Sequence, residues 1–510
     1  MSDQTEVRNK VKQRKGVPIW ALIVIVIVAA GVTFLITALI TNVAQHKGEA
    51  AAQITKVVDL DYTTYDPAVW GQNFPNEYDG YLKTANFTPT AHNAALVPRD
   101  PATDSHVGAV VPMSDPRTET TASKLTEDPR LVTMWNGYAF ALDYRHLRGH
   151  EHMLEDQRYT LRVLDKPQPG ACLNCHCSLP EVLDNIDPTI NGDVYSDSAM
   201  AAWAQMNKMT YGDTETKQLA SGPVACIDCH DPTTMQLRVV RPAFINGIAA
   251  LKKSEGIDNY NVNTDASTQE MRSYVCAQCH VEYYFADGDN KTLTFPWAEG
   301  IDIDNVYQYY QDVKFTDFTH ALTGAPILKA QHPEFESWSA GVHAANGVAC
   351  ADCHMAYQRV GAQKISNHDV TTPMADVNGT CGKCHAASEQ VITDRVTTIQ
   401  NRYLESRDRA MDALTQFINA IKSAKDAGAD DALIQQVLPY QTKANFYMDM
   451  GYSENSYGFH APDYFQRIFN ESMDASRQGQ LILLGVPADQ VAPSDVATNN
   501  LQKIQESGLK

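Results

Sequence analysis

Cys172-Leu-Asn-Cys175-His176 opens a series of five matching phrases. The others are Cys226-Ile-Asp-Cys229-His230, Cys276-Ala-Gln-Cys279-His280, Cys350-Ala-Asp-Cys353-His354 and Cys381-Gly-Lys-Cys384-His385. Two thiols spaced by two residues, with an imidazole directly after, form the attachment signature of c-type haem. The chemistry dictates the spacing: the thiols add to the two vinyl groups on one porphyrin edge, and the imidazole reaches the iron from one face as proximal ligand. A single Cys-x-x-Cys pair reads equally well as a zinc knuckle, a redox dithiol or a disulfide. Five copies, each followed at once by histidine, favour five covalently bound haem c groups. Ten of the eleven cysteines are used in this way. Cys177 is left over and reads as a structural or incidental thiol, because free cysteine usually behaves as a small buried hydrophobe.

The rest of the composition narrows the function classes. The chain has 510 residues and a formal net charge of -20, before any haem propionates are added. A strongly acidic surface argues against a nucleic-acid partner, since phosphate binding needs clustered basic residues. The length allows two or three domains, or one large domain wrapped around several cofactors.

Residues 1–15 read as a basic cytoplasmic tail, with Arg8, Lys10, Lys12, Arg14 and Lys15. Residues 16–45 contain no Asp, Glu, Lys, Arg or His. That stretch is long enough to cross a hydrocarbon core of about 30 Å as one helix. The basic cluster before it predicts a single-pass anchor with a cytoplasmic N-terminus and a catalytic domain outside, on the periplasmic side. A cleaved signal peptide is the competing reading, favoured by small residues around Ala44 and Ala50 but disfavoured by length.

Residues 46–130 read as a mostly irregular extracytoplasmic wrap, with an aromatic cluster from Trp70 to Tyr81 packed on the core and an exposed loop from Thr88 to Glu127. Residues 131–385 hold the five motifs at uneven spacing, so they are not a tandem repeat. No sustained strand alternation is visible there, and short helices and loops around the porphyrins are expected. In residues 386–510, apolar residues recur at three- and four-residue steps: Ile392, Val396, Ile399 and Tyr403, then Met411, Leu414, Ile418 and Ile421. This predicts one or two long amphipathic helices, broken near Gly428, that complete the same domain. The fold class is therefore mainly α: a multihaem cytochrome c fold with one N-terminal transmembrane helix and long C-terminal helices. Packing against the haem region and a homodimer contact both account for the apolar stripe, and the dimer is preferred.

Each haem has a second axial position. A further histidine there suits electron transfer, whereas an open position binds substrate. Eleven histidines lie outside the motifs, and counting alone does not assign them. The motif order and its neighbouring strings resemble ammonia-forming cytochrome c nitrite reductase, the pentahaem family. The strings are the Trp70 to Tyr81 cluster, Arg148-Gly-His150, Thr160-Leu-Arg162, His280-Val-Glu-Tyr-Tyr-Phe285, Lys329-Ala-Gln-His-Pro333 and Tyr457-Gly-Phe-His460. The likeness spans roughly residues 65–470.

The resemblance implies four haems with two histidine ligands each. His150 would cap the haem of Cys276 and Cys279, and His343 that of Cys381 and Cys384. His368 would cap the haem of Cys226 and Cys229, and His460 that of Cys350 and Cys353. The haem of Cys172 and Cys175 would keep one face open for catalysis. Many relatives carry lysine in this first motif; here it is His176, so the neighbouring strings must carry the catalytic case. The resemblance assigns Arg162, Tyr283 and His332 to the pocket. Their chemistry suits a small anion such as nitrite, since Arg162 and His332 supply positive charge and donors and His332 also passes protons.

The same family binds calcium through residues matching Glu282, Tyr283, Lys329 and Gln331. An all-oxygen set of a carboxylate, carbonyls and an amide suits this hard cation. The expected electron donor is a membrane quinol-oxidising haem protein. The rival reading is a pentahaem electron-transfer cytochrome with no substrate of its own.

Overall fold

A computed structural model describes residues 18–52, 56–93, 95–98, 119–165, 168–361 and 363–492. The chain divides into two compact units, one of Met1–Lys56 with Arg359–Ile365 and one of Val57–Gln358 with Ser366–Lys510.

The first unit contains α1, Ile19–Ala52. Its Ile19–Gln45 portion is apolar throughout and long enough to cross a membrane. Large side chains from Ile19 to Val43 are exposed around the helix, so this helix buries no stripe against a protein core. Such all-round apolarity is the pattern of a span or a signal segment. The basic tail over residues 1–15 lies outside the described residues.

The second unit is mainly helical. Strands are confined, among the described residues, to four two-stranded pairs, in keeping with the lack of sustained alternation. Two helices of this unit lie beside the haem motifs: α2, Asp197–Lys208, and α3, Pro242–Ser254. They help build a core around the first three motifs, with Leu173, Cys177, Leu179, Trp203, Phe244 and Trp297 at its centre. Cys177 is fully buried and its Sγ donates to Leu173 O (3.0 Å), a packing role.

Three helices, not one or two, form the C-terminal region: α4, Glu389–Asp426, α5, Asp431–Ser453, and α6, Pro462–Leu483. The expected periodic residues all lie on α4, where Val396, Tyr403, Met411, Leu414, Ile418 and Ile421 are buried. Ser388 caps its start by accepting from Val391 N, and Gly428 ends it in the left-handed region at φ +78°. The Asp430 carboxylate then starts α5 by accepting from Ala432 N (3.0 Å). The third helix escaped the periodicity reading of 386–421 because its sequence lies beyond that window. Its buried residues Phe465, Ile468, Phe469, Ser472, Ala475 and Ser476 follow the same three- and four-residue steps.

The wrap is more ordered than its composition suggested. Helices Pro67–Asn73 and Pro75–Leu82 carry the aromatic cluster. Trp70 is buried against Ala225 and Ile227 of the second motif, and Tyr81 OH donates to Val224 O (3.0 Å). The expected exposed loop from Thr88 to Glu127 is corrected at its end. Glu119–Thr121 is a strand paired with Leu96–Pro98, and Thr120, Thr121 and Lys124 are buried. Backbone pairing explains this: Lys124 N donates to Tyr144 O (2.8 Å) and Thr121 Oγ1 to His146 O (2.6 Å). Residues 99–118 of that loop lie outside the described set.

Candidate haem centres and the pocket beside the first motif

The four histidine pairs expected from the resemblance are brought together, three with their rings steeply inclined to one another and one tilted. Ring centroids lie 6.3 Å apart for His150 and His280, 6.2 Å for His230 and His368, 6.3 Å for His343 and His385, and 6.5 Å for His354 and His460. An imidazole nitrogen binds a first-row metal at about 2.0–2.1 Å, and the ring centre lies roughly 1.1 Å behind it, so two rings sharing one ion stand about 6.3 Å apart. The residues therefore fit an iron between each pair.

Ring orientation supports the same fit. A ligating histidine ordinarily donates its second ring N–H to an oxygen, which fixes the tautomer. Nδ1 donates to a backbone carbonyl in His176 (Met153 O, 3.0 Å), His230 (Met235 O, 3.0 Å), His354 (Thr371 O, 3.0 Å) and His368 (Ser366 O, 2.9 Å). His460 Nδ1 lies 2.6 Å from Glu454 Oε1, and His280 Nδ1 lies 3.8 Å from Glu334 Oε2. In all six, the hydrogen bond or ion contact falls on Nδ1, which leaves Nε2 for a metal. Four described histidines outside the expected set do the reverse. His92, His146, His152 and His320 each engage Nε2, with Gln400 Oε1, Glu127 Oε2, Ala85 O and Thr133 O respectively.

Local backbone explains how His150 reaches its place. Gly149 adopts φ +111°, and a Cβ there would fall 2.2 Å from Thr84 O. Only glycine lets the chain turn this tightly against the preceding segment.

His176 differs from the other motif histidines. Among the described residues, no histidine ring faces it at the spacing of the four pairs. Arg162, Tyr283 and His332 lie in the electrostatic surroundings of this motif. Arg162 is an electrostatic neighbour of Cys172, His176 and Tyr283. Tyr283 is likewise a neighbour of Cys172, Cys175 and Tyr138. His332 is a neighbour of His176 and Lys329, and its ring centroid stands 6.5 Å from that of His280. The Arg162 guanidinium lies 4.2 Å from the centre of the Phe140 ring, which stacks on Tyr138. Stacking holds the guanidinium plane while leaving its N–H groups available. Burial pushes the Tyr283 phenol well above its ordinary range and lowers His332 to about 4, so both are neutral hydrogen-bonding groups; this corrects the expectation that His332 adds positive charge, which falls to Arg162.

The residues expected at the calcium site also converge. Glu282 is fully buried; its Oε1 accepts from Tyr310 OH (2.8 Å) and its Oε2 from Gln331 N (2.6 Å). Gln331 Nε2 donates to Lys329 O (3.3 Å). The Lys329 ammonium is turned elsewhere, to Asp449 Oδ1 (3.1 Å) and Ser453 Oγ (2.9 Å), so this lysine offers a metal its carbonyl. Burial raises the carboxyls of Glu282, Glu336 (to about 8) and Asp317 (to about 7) above their usual range. Buried carboxyls close to backbone carbonyls fit a hard divalent cation. Among the described residues no cluster of three or more His, Cys, Asp or Glu is poised for a metal, so carbonyl and amide oxygens would supply most ligands.

Sequence reasoning did not single out Glu334 and Glu454, the carboxylates beside His280 and His460. Each lies close in sequence to a residue already singled out, but nothing in the pattern distinguishes it from a solvated acid.

The cytochrome c552 family model matches residues 66–508. A cytochrome c-552 of Bacteroides fragilis is 33% identical over 489 residues, covering 94% of this chain and 89% of the relative. A cytochrome c-552 of Parabacteroides distasonis is 39% identical over 362 residues, covering 69% and 68%. Among solved structures, the catalytic subunit of the cytochrome c nitrite reductase of Desulfovibrio desulfuricans, described with two calcium sites, superposes with a TM-score of 0.68 at 27% identity. That likeness covers 86% of this chain and 90% of the other. Matched along most of its length, with its histidines paired as haem ligation requires, the chain belongs to the cytochrome c552 family.

Proposed function

We propose that this chain reduces nitrite to ammonium at the haem carried by Cys172 and Cys175, using four further haems as its electron supply. The observation that carries the reading is the contrast at the first motif: four motif histidines are paired with a second imidazole, whereas this motif has Arg162 and His332 as neighbours of His176 and Tyr283 as a neighbour of Cys172 and Cys175. Cys172, Cys175 and His176 would hold the first haem, which would supply an iron for the substrate and access to successive electrons. The chain's own residues do the rest. Arg162 binds the anion and stabilises negative charge on its oxygens. Tyr283 donates a hydrogen bond from a neutral phenol, and His332 hands on protons as the oxygens leave as water. The six-electron course favours keeping every intermediate in this one pocket.

Glu282, the carbonyls of Tyr283 and Lys329, and the Gln331 amide would hold one calcium ion, which would fix the segments bearing Tyr283 and His332. The anchor α1 would keep the enzyme at the outer face of the cell membrane, where a quinol-oxidising haem protein would donate electrons. The long helices α4 to α6 would form a homodimer contact. The test is ammonium yield from nitrite with a reduced dye, comparing wild type with Arg162→Ala and His332→Ala. Ammonium from wild type and its loss from both variants, at unchanged haem content, is the expected result. A wild type that takes electrons but yields no ammonium would leave the electron-carrier reading.

A further inference from the structure

Attachment of haem uses the two cysteines and the histidine of each motif and leaves the residue before the second cysteine free. In the first three motifs that residue is Asn174, Asp228 and Gln278, and all three are fully buried. They meet at one buried residue, Arg241, at the start of α3, two through its side chain and Gln278 through its backbone. Arg241 Nη1 lies 3.0 Å from Asp228 Oδ1. Its Nε donates to Asn174 O (2.5 Å) and its Nη2 to Cys177 O (3.0 Å), the two carbonyls that bracket Cys175-His176. Its backbone N–H donates to Gln278 Oε1 (3.1 Å), and Gln278 Nε2 donates to Asp228 O (3.2 Å). Asp228 is completed by Leu179 N (3.1 Å) and Ala225 N (2.9 Å). The sulfurs of Cys175, Cys229 and Cys279, one from each motif, are electrostatic neighbours of the guanidinium. One ion pair thus touches three attachment peptides.

We infer that the Arg241–Asp228 pair is a positioning hub that holds the His176 peptide against the second and third motifs and sets the potentials of their three haems together. The inference rests on the reading that the motifs carry haem, but not on nitrite being the substrate. A buried charge acts strongly in low dielectric. A nearby cation opposes the extra positive charge of the oxidised iron and raises the potential; a carboxylate lowers it. Paired, the two offset each other, and removing either exposes the other. The fourth motif has an analogous but wetter pair, Arg272 Nη2 to Asp352 Oδ1 at 2.9 Å, with the aspartate side chain 31% exposed, which provides an internal comparison.

The test uses the full-length, haem-loaded chain in mild detergent, with redox titration followed by absorption and electron paramagnetic resonance. Asp228→Asn is expected to shift the potentials of the first three haems upward and Arg241→Gln to shift them downward. Arg241→Lys should lie closer to wild type than Arg241→Gln, and Asp352→Asn should leave the first three haems unshifted. Shifts of Asp228→Asn and Arg241→Gln in the same direction, or equal shifts of all five haems, would overturn the proposal. If Arg241→Gln does not load fully, peptide mass spectrometry locates the missing thioethers. Losses confined to the first three motifs support the hub, and losses spread evenly over five overturn it. A wild-type chain lacking thioether-bound haem would count against the haem reading itself.

Discussion

The first attachment motif and the other four are built alike on one side and differently on the other. His176 is held through Nδ1 by Met153 O just as His230 and His354 are held by Met235 O and Thr371 O. The proximal side therefore does not distinguish them. Opposite His230, His280, His354 and His385 the chain brings a second ring; at the first motif its electrostatic neighbours are the Arg162 guanidinium and His332 imidazole beside His176 and the Tyr283 phenol beside Cys172 and Cys175. The same covalent chemistry serves electron transfer where both faces are capped and substrate binding where one is open. On the proposed reading, function would be decided by what the fold delivers to the far side of each haem site, not by the attachment motif.

The contrast breaks most visibly at Arg162. Arg162→Ala should lower nitrite turnover by about 10²–10³-fold, the usual scale for losing a donor aimed at developing charge, with haem content unchanged. Turnover within threefold of wild type would remove Arg162 from the pocket. Next in size is the conversion of a paired centre into an open one. His460→Ala should add a second high-spin signal in the absorption and resonance spectra and slow dye-driven reduction of nitrite. A spectrum identical to wild type would show that His460 is not the partner of His354.

A smaller effect is expected at the oxygen-ligand cluster. Calcium removal by a chelator, or Glu282→Gln, should reduce turnover by about 10–100-fold, as for other groups that orient a reacting site. Metal analysis should find one calcium per chain in wild type and less in the variant. Equal calcium content in both would move the ion elsewhere.

The smallest effect concerns Lys124, which is buried with Arg407, Glu334, Lys329 and Glu127 as its charged neighbours. Burial lowers its ammonium to about 8. The unfolded chain keeps a lysine near 10.4, so it binds more protons than the folded chain between these values, and stability rises with pH across that window. Lys124→Met lacks the burial penalty at every pH. It should be more stable than wild type at pH 7 by about 1–3 kcal/mol, with the gap closing as pH rises from about 8 to 10.4. Denaturant melts at four pH values would check this; a gap that stays constant would mean that a further anion already neutralises the lysine.

How much of this was legible in the sequence depends on how local the cause is. The haem motifs are legible because thioether chemistry demands a fixed short spacing, and the stripe from Val396 to Ile421 because one helix imposes one period. Family membership, expected from the strings around His150, Arg162, His280 and His332, is borne out by the match over residues 66–508. What was not legible is set by distant partners. Thr120, Thr121 and Lys124 sit in a polar stretch and are buried only because the chain near Tyr144 and His146 covers them. Arg241 and Asp228 look like two ordinary surface charges until the fold removes both from water.

The central claim is tested most directly by the coordination of the first haem. Resonance and absorption spectra of the haem-loaded wild type should show four low-spin haems and one high-spin haem, with only the high-spin signal changing when nitrite is added. Five low-spin haems, oxidised and reduced alike, with no response to nitrite would contradict it and leave a chain that only conducts electrons.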